Sequence, residues 1–257
     1  MSTEIAVIIM KINKDEFNSK HFGIAMGNVL LDRTYSEKDF AHAMQNLEEL
    51  KKYCHLTLRV LTNDKVTTNS ALKFGFSICD TLVEWMFSLK NPSLPKMEYK
   101  VLVRECEEED LPYIKEIAKS SFKIDRFHSD PNLDNNLCDL YYEKWTENSF
   151  YGFAEKVLVA IYNNEVVGFT TIKTYENDPI GHLVLSAVSS KYRGLGIYTC
   201  LIHACTKWLI DNHGELEGIL VGTQIDNIAV QKAWKKLNYT PYSSSYVLQL
   251  SKSEDEL

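Results

Sequence analysis

The stretch LSAVSSKYRGLGIY, residues 185–198, runs from strand-forming residues through a loop with two glycines into a helical pattern. The N-terminus of a helix leaves backbone N–H groups unpaired and carries about half a positive charge. Gly194 and Gly196 let a diphosphate approach those groups without an intervening Cβ, and Arg193 adds a permanent cation. The stretch therefore predicts a phosphate-binding loop. A strand–helix turn without a ligand is the alternative, because short motifs of this kind also occur without function.

Two standard phosphate motifs are absent from the chain. The pattern GxxxxGK[ST] does not occur, and the dinucleotide pattern GxGxxG would need glycine where Thr199 stands. The chain also lacks the parallel strand–helix–strand start that the dinucleotide fold requires. What remains is [KRQ]-x-x-G-x-G, from Lys191 to Gly196, at a strand–helix junction.

Strand and helix patterns alternate after residue 97. The predicted order is a strand, two helices, three antiparallel strands, a helix, a strand, a helix and a final strand. Asn163-Asn164 separates two β-rich runs and predicts a tight hairpin turn. A long helix is predicted over 197–212, with Gly214 as its left-handed stop.

The segment Asn91-Pro92-Ser93-Leu94-Pro95 predicts a domain boundary, because two prolines in four residues end any helix or strand. We expect an N-terminal α/β domain over 1–92, a catalytic domain over 97–252 and an acidic tail over 253–257. Segments 58–89 and 220–250 share a strand–helix–strand pattern, which indicates either a weak internal repeat or chance similarity.

Composition excludes several classes of protein. With 45% hydrophobic residues the 257-residue chain has material for a core, so it is not disordered. A formal net charge of −7 argues against nucleic acid as a partner. No apolar run approaches the roughly 20 residues of a membrane helix, and no signal segment is evident, so we expect a cytoplasmic protein. The six cysteines contain no CxxC pair, which predicts reduced thiols and no metal site.

The loop KYRGLG, residues 191–196, resembles the coenzyme A pyrophosphate loop of the GCN5-related N-acetyltransferases (GNAT). The preceding NNEVVGFTTI (163–172) and the later DNIAVQKAWKKLNY (226–239) match that family's order. The first motif position is usually Gln or Arg, and Lys191 departs from it mildly. The resemblance covers about 99–250. It implies an α/β (α+β) GNAT fold with a mixed central sheet, preceded by a smaller α/β domain.

The same resemblance implies a coenzyme A thioester as co-substrate, either acetyl-CoA or a longer acyl-CoA such as 3-hydroxybutyryl-CoA. The positions that match the family's cofactor contacts lie in the loop, at the start of the following helix and on the late helix. They are Val188, Lys191, Tyr192, Arg193, Gly194, Leu195, Gly196, Ile197, Tyr198, Asn227 and Trp234.

A narrower resemblance lies upstream. RFHSDPN (126–132), followed by LYYEKW (140–145), is similar to the nucleotide-sugar branch of the family, typified by dTDP-fucosamine acetyltransferases and FdhC-like N-acyltransferases. Members of that branch also carry segments like HFGIAMGNV (21–29) and KFGF (73–76). The first domain then resembles a truncated GNAT half without the coenzyme A loop.

This branch implies an N-acyltransferase that acts on a dTDP-linked amino-dideoxyhexose, a dTDP-3-amino-3,6-dideoxyhexose above all, for surface polysaccharide, O-antigen or capsule. A homodimer is common in the family. The sugar nucleotide would contact Arg126, Phe127, His128, Asp130, Tyr141 and Trp145. Without the resemblance, residues 126–132 would read as an ordinary solvent-facing loop and the aromatic pair as core.

The chemistry of amide formation from a thioester needs few groups. In this fold the strand before the loop offers a backbone N–H to the thioester oxygen, here at Ala187 or Val188. Trp234 stands where the family often has the tyrosine that protonates the departing thiolate, and an indole N–H does not give up its proton. Tyr198, Tyr239 or water could serve instead.

His182 and His128 are candidate general bases with a suitable intrinsic pKa, about 6.5. The alternative for His182 is an ordinary histidine at a strand end. Two other functions remain open. The chain could be an acyl-CoA-binding module that has lost turnover, since Trp234 replaces the usual acid. It could also be a GNAT enzyme that acts on a protein or another small amine.

Overall fold

The computed structural model describes residues 10–47, 50–122, 126–128, 130 and 132–251. They form two compact units. The first takes its described residues from Met1–Leu82, Asp125–Leu137 and Ser244–Leu257, and the second from Val83–Ile124 and Cys138–Ser243. The predicted acidic tail, 253–257, lies outside the described residues.

The first unit is a mixed sheet with helices. Its strands are β1 (Lys11–Lys14), β2 (Met26–Leu30), β3 (His55–Leu61), the first half of β4 (Ser77–Ser88) and the last part of β10 (Thr240–Ser251), in the order β1-β2-β3-β10-β4. Its helices are α1 (Glu16–Phe22), α2 (Glu37–Asn46) and α3 (Lys65–Phe74). Strands β2 and β3 are parallel, whereas β1–β2 and β3–β10 are antiparallel.

Side-chain caps define where these three helices begin. Asp15, Ser36 and Asp64 each accept a hydrogen bond from a backbone N–H in the first turn of α1, α2 and α3. Such caps satisfy donors that have no partner within the helix. The core of the unit includes the fully buried Tyr35 and Phe40.

The second unit contains a mixed sheet with helices on both faces. Its strands are the rest of β4, β5 (Leu102–Glu105), β6 (Lys156–Tyr162), β7 (Glu165–Lys173), β8 (Ile180–Val188) and β9 (Gly218–Gln224), in the order β4-β9-β8-β7-β6-β5. Its helices are α4 (Leu111–Ser121), α5 (Asn135–Asn148, in this unit from Cys138), α6 (Ile197–Asn212) and α7 (Ile228–Lys236). Helix α4 packs with Val159, Phe169 and Leu185, whereas α6 packs with Ile172, Leu183 and Ile219.

The predicted fold class and order of elements after residue 97 are confirmed. Asn163 and Asn164 have φ of 51° and 62°, the pair of positive values that a type I′ hairpin turn requires. The predicted glycine stop of α6 is wrong, because the helix ends at His213 with φ −131° and Gly214 is not left-handed.

The compact units differ from the predicted boundaries at 92 and 97. Residues 83–88 lie beside β9, and just beyond them the Leu89 N–H donates to the Glu217 carbonyl at 2.9 Å. Residues 245–251 pair with β3 in the first unit. Residues 126–137 also join the first unit, which separates them from the rest of the predicted catalytic domain. Pairing between distant strands, rather than the proline segment, sets the division.

Candidate active site

Strands β8 and β9 separate halfway along their length. They pair in parallel only from Ile180↔Gly218 to Leu183↔Val221, although β8 continues to Val188. A bulge in β8 begins where the pairing stops, and there the Leu185 N–H donates to the Thr171 hydroxyl at 3.0 Å. Because a bulge bends its strand and increases the local twist, it explains why β8 turns away from β9.

The separation opens a pocket of about 70 Å³. Its lining comes from the end of α4, from β8 and β9, and from α6 and α7: Phe122, Leu183, Val184, Leu185, Ser186, Tyr198, Ile202, Val221, Gly222 and Trp234. Among these described residues only Ser186, Tyr198 and Trp234 carry polar side-chain atoms. Most lining side chains are therefore apolar, although the surface that the pocket exposes is more polar than apolar.

The register of β7 and β8 shows which backbone groups face the opening. Val188 lies opposite Gly168, and the Ser189 N–H donates to the Val167 carbonyl at 2.9 Å. Since bonded and non-bonded residues alternate in an antiparallel pair, the Ala187 N–H points to β7 and the Val188 N–H points away from it. Ala187 and Val188 are the predicted oxyanion donors. Of the two, Val188 directs its N–H toward the gap between β8 and β9.

The glycine loop leaves the N-terminus of α6 open. Gly194 and Gly196 have φ of +82° and +81°, and a Cβ added at either would meet no heavy atom within 4 Å. Gly196 is the N-cap of α6 and provides no side-chain hydrogen bond to the first turn. Arg193 is exposed and, within the described residues, has no ion-pair partner. These groups form a positive, sterically open end to the helix.

Lys191 and Tyr192 are directed at strand β7. The Lys191 ammonium lies 3.3 Å from Oε2 of Glu165, and the Tyr192 hydroxyl donates to the same oxygen. The hydrogen bond from Tyr192, followed by that from Lys191, lowers the pKa of Glu165. The two side chains thus hold the loop against β7, while Arg193 faces solvent.

Trp234 and Tyr198 meet inside the pocket. The indole Nε1–H of the buried Trp234 donates to the Tyr198 hydroxyl oxygen at 3.1 Å. Burial raises the pKa of the Tyr198 phenol, although the hydrogen bond from Trp234 acts in the opposite direction. Asn227 starts α7 and donates from its amide to the Thr223 hydroxyl at 2.9 Å, which ties the helix to the end of β9.

His182 lies at the start of β8, where that strand still pairs with β9. Its Nε2 is 3.4 Å from Oδ2 of Asp178, and the Tyr175 ring packs edge-on at 5.4 Å. The residue immediately after it, Leu183, is the first of β8 to line the pocket. His182 therefore sits just before the opening and is oriented by Asp178.

The loop predicted to contact the sugar nucleotide lies in the first unit. Asp130 is 2% exposed, with Oδ2 3.3 Å from Nε2 of His55. Burial opposes ionisation of Asp130, but the adjacent His55 side chain and the hydrogen bond from the Asn132 N–H outweigh it and lower its pKa. These contacts give the Asp130 carboxylate a role in the interior of the unit.

The neighbours of Asp130 share this environment. Phe127 is 2% exposed and packs on Phe22 with ring centroids 5.1 Å apart. The Arg126 guanidinium lies over the Phe127 ring and donates to the Thr57 hydroxyl at 3.1 Å. His128 belongs to the same unit and is half-buried. The predicted placement of this loop in the catalytic domain is therefore wrong.

Aromatic residues of α5 approach the pocket through Phe122. Tyr142 stacks on Phe122 with centroids 4.3 Å apart and on Trp145 at 6.1 Å. The predicted contact Tyr141 is 5% exposed and packs edge-on against Trp145. Sequence patterns did not single out Phe122, because it continues the apolar period of α4 and looks like an ordinary core residue.

Neither a membrane-spanning helix nor a metal-binding cluster is found in the part of the chain that the structure describes. No helix there is long and apolar enough to cross a membrane. No group of three or more His, Cys, Asp or Glu side chains there is placed to hold a metal ion.

Residues 112–239 match the model of the acetyltransferase (GNAT) family. The matched segment includes the separated strands, the glycine loop and α7. Over these residues the chain is similar to the acetyltransferases of the GNAT family.

Similarity to a curated protein covers a slightly longer part of the chain. The spore coat polysaccharide biosynthesis protein SpsD of Bacillus subtilis is 27% identical over 138 residues, which are 53% of this chain and 46% of SpsD. The match thus spans less than half of that relative.

Solved structures share the fold over most of this chain. A tandem GNAT protein from the clavulanic acid biosynthesis pathway is 14% identical with a TM-score of 0.60, covering 89% of this chain and 76% of its own. A functionally unknown conserved protein from Staphylococcus epidermidis is 11% identical with a TM-score of 0.64, covering 95% and 96%. A GCN5-related N-acetyltransferase from Kribbella flavida is 9% identical with a TM-score of 0.62, covering 88% and 80%.

Proposed function

We propose that the protein transfers an acyl group from an acyl-CoA to the amino group of a dTDP-linked amino-dideoxyhexose in surface polysaccharide synthesis. A dTDP-3-amino-3,6-dideoxyhexose is the acceptor we favour. The observation that carries the proposal is the open N-terminus of α6 beside the separated β8 and β9. Support for a sugar comes from the name of SpsD, a polysaccharide biosynthesis protein.

The diphosphate of coenzyme A would bind the N–H groups of residues 194–198, with the Arg193 guanidinium as the cation, because the Arg193 N–H donates to the Ser190 carbonyl. Its pantetheine arm would follow the unpaired edge of β8 and supply the strand partner that β9 does not. Asn227 and Trp234, on the other side of the opening, would border the arm. The thioester would then lie against the Val188 N–H.

The reaction joins the amine nitrogen to the thioester carbon and then breaks the carbon–sulfur bond. A fixed backbone donor at Val188 would stabilise the oxyanion, an effect that is typically worth about 3–4 kcal/mol. Positioning of the two substrates contributes more, about 7–11 kcal/mol. His182, oriented by Asp178, remains a predicted acceptor for the amine proton.

The pocket and the stack of Phe122, Tyr142 and Trp145 would receive the acyl group or the deoxy face of the sugar. Stacking on aromatic rings suits a sugar whose hydroxyls are partly replaced by hydrogen. Contacts of Arg126 and His128 with the nucleotide remain predictions. Replacing Arg126 by Glu should raise the KM for the sugar nucleotide about tenfold and leave coenzyme A affinity unchanged.

Mass spectrometry tests the proposal directly. The protein is incubated with acetyl-CoA or 3-hydroxybutyryl-CoA and a panel of dTDP-amino-sugars, and both free thiol and acylated sugar are measured. We expect thiol release only with an acceptor that has a free amine. A dTDP-6-deoxyhexose that lacks the amine is the matched control. Acylation of a polyamine or a protein lysine, with no reaction of any sugar nucleotide, would contradict the substrate assignment.

The second candidate is an acyl-CoA-binding module without turnover. Trp234 favours it, because a tryptophan at this position cannot supply the proton that the family's tyrosine supplies. Calorimetry that detects coenzyme A binding, combined with no thiol release for any amine, would support this candidate over the transferase.

A further inference from the structure

We propose that the Tyr198 hydroxyl protonates the departing coenzyme A thiolate in place of the missing tyrosine at position 234. The inference rests on the proposed transferase function and adds a catalytic residue to it. It starts from the contact between Tyr198 and Trp234, which brings a phenol into the pocket from a different helix.

The pocket offers few other acids. Among the described lining residues, the polar side chains are those of Ser186, Tyr198 and Trp234. Phenols ionise near pH 10, whereas an indole N–H is a hydrogen-bond donor only. A serine hydroxyl is a much weaker acid than a phenol. Tyr198 is therefore the lining side chain best suited to give a proton to sulfur.

The hydrogen bond from Trp234 orients that proton. The indole N–H donates, so the Tyr198 oxygen accepts, and the phenol's own O–H remains available to point at a third atom. Burial raises the pKa of Tyr198, which keeps the phenol protonated at neutral pH. After proton transfer the same Trp234 N–H would stabilise the phenolate.

Tyr239 is the other phenol nearby, and its contacts argue against the same role. It is 2% exposed, and its hydroxyl lies 2.7 Å from the Thr206 hydroxyl on α6. It does not line the pocket. Its hydroxyl is thus engaged in joining the start of β10 to α6.

The proton balance of the step is complete without a further reactant. The amine nitrogen forms a bond to the carbonyl carbon, and collapse of the oxyanion breaks the carbon–sulfur bond. The Tyr198 O–H proton passes to sulfur, giving free thiol and a phenolate. The proton lost by the amine returns to the phenolate through water, so the enzyme ends in its starting state.

The test compares Tyr198→Phe with Tyr113→Phe, which removes a hydroxyl from an exposed residue of α4. The rate of thiol release is measured with acyl-CoA and the best amine found in the acceptor panel. We expect kcat to fall about 100-fold in Tyr198→Phe, the range of a lost general acid, and to stay unchanged in Tyr113→Phe. Coenzyme A affinity should change less than threefold in both.

Two further readouts separate proton donation from packing. The solvent deuterium isotope effect on kcat, which reports a proton moving in the rate-limiting step, should become smaller in Tyr198→Phe. Adding Trp234→Tyr to that variant restores a phenol at the family's usual position and should recover at least tenfold in kcat. Tyr239→Phe tests the competing assignment, in which the Tyr239 hydroxyl donates the proton.

A kcat within threefold of the native value in Tyr198→Phe, or a large loss in Tyr239→Phe alone, would overturn the assignment. The absence of thiol release by the native protein with every amine would overturn both this assignment and the transferase function. Turnover with a non-sugar amine would instead overturn the acceptor alone, and the loss in Tyr198→Phe would still support Tyr198.

Discussion

The same order of elements occurs in both units, but among the described residues the two parallel strands that open the series separate only in the second unit. In the first unit the order is β2, α2, β3, α3 and the first half of β4, and in the second it is β8, α6, β9, α7 and the start of β10, residues 240–243. The first two strands of each series are parallel neighbours. Strand β2 pairs with β3 along almost its whole length, from Met26 to Val29. Strand β8 pairs with β9 only over its first four residues. A shared topology therefore does not by itself make a binding site.

The loops that precede α2 and α6 also differ, one being closed and the other open. In the first unit Tyr35 is fully buried and the Ser36 side chain caps α2, so the Asp39 N–H in the first turn has a partner within the chain. In the second unit Leu195 is 47% exposed and Gly196 offers no side-chain cap. One helix end is thus closed by its own sequence and the other is left for a ligand.

The largest expected effect is a charge reversal in the open loop. Arg193→Glu should weaken coenzyme A binding about 100-fold, because a charge-assisted contact with the diphosphate is replaced by repulsion. Titration calorimetry measures the affinity. Arg33→Glu, in the corresponding loop of the first unit, is the matched control and should leave binding unchanged. Equal losses in both variants would refute the contrast between the loops.

The bulge in β8 supplies a second contrast, because β2 has none within its paired residues. Thr171→Val leaves the buried Leu185 N–H without its acceptor, which should cost about 1–3 kcal/mol in the free energy of unfolding. We also expect about a tenfold lower kcat, since the strand would no longer hold the opening. Urea denaturation and thiol release measure the two effects. Thr174→Val, at a less buried site after β7, is the control, and a native kcat in Thr171→Val would contradict this view.

A smaller effect comes from giving α6 the cap that α2 has. Gly196→Ser adds a hydroxyl that can accept from the first turn, so coenzyme A must compete for those N–H groups. We expect about fivefold to tenfold weaker binding. Gly196→Ala is the control for left-handed strain, which costs about 1–2 kcal/mol without adding a cap. If the two variants bind coenzyme A equally, the cap plays no part.

The smallest contrast concerns acid stability. Asp130 in the first unit and Asp110 in the second are both buried carboxylates with lowered pKa. Burial opposes the ionisation of Asp110, but the hydrogen bonds from Arg104 outweigh it. A lowered pKa in the folded state means that the stabilisation is present above the ordinary Asp value of about 3.9 and is lost as the pH falls below it.

We therefore expect Asp130→Asn and Asp110→Asn each to be less stable than the native protein at pH 7 and to lose less stability between pH 5 and pH 3. Denaturant unfolding across this range measures both slopes. An unchanged slope for Asp130→Asn alone would show that the 126–137 segment contributes nothing to the acid response of the first unit.

Local patterns in the sequence determined the loop, the hairpin and the order of elements in the second unit. Gly194 and Gly196 act through their own backbone angles, and Asn163-Asn164 through the turn they form, so neighbouring residues are sufficient to predict them. The glycine loop between β8 and α6 can likewise be predicted, because its strand, glycines and helix are consecutive.

Contacts between residues far apart in the chain decided the rest. The contact of Trp234 with Tyr198 joins two helices, that of Asp130 with His55 brings a loop into the first unit, and the division of β4 and β10 depends on strand pairing. Such contacts depend on which surfaces meet after the chain has folded. Side-chain type and spacing along one segment do not encode them, and only the tertiary structure reveals them.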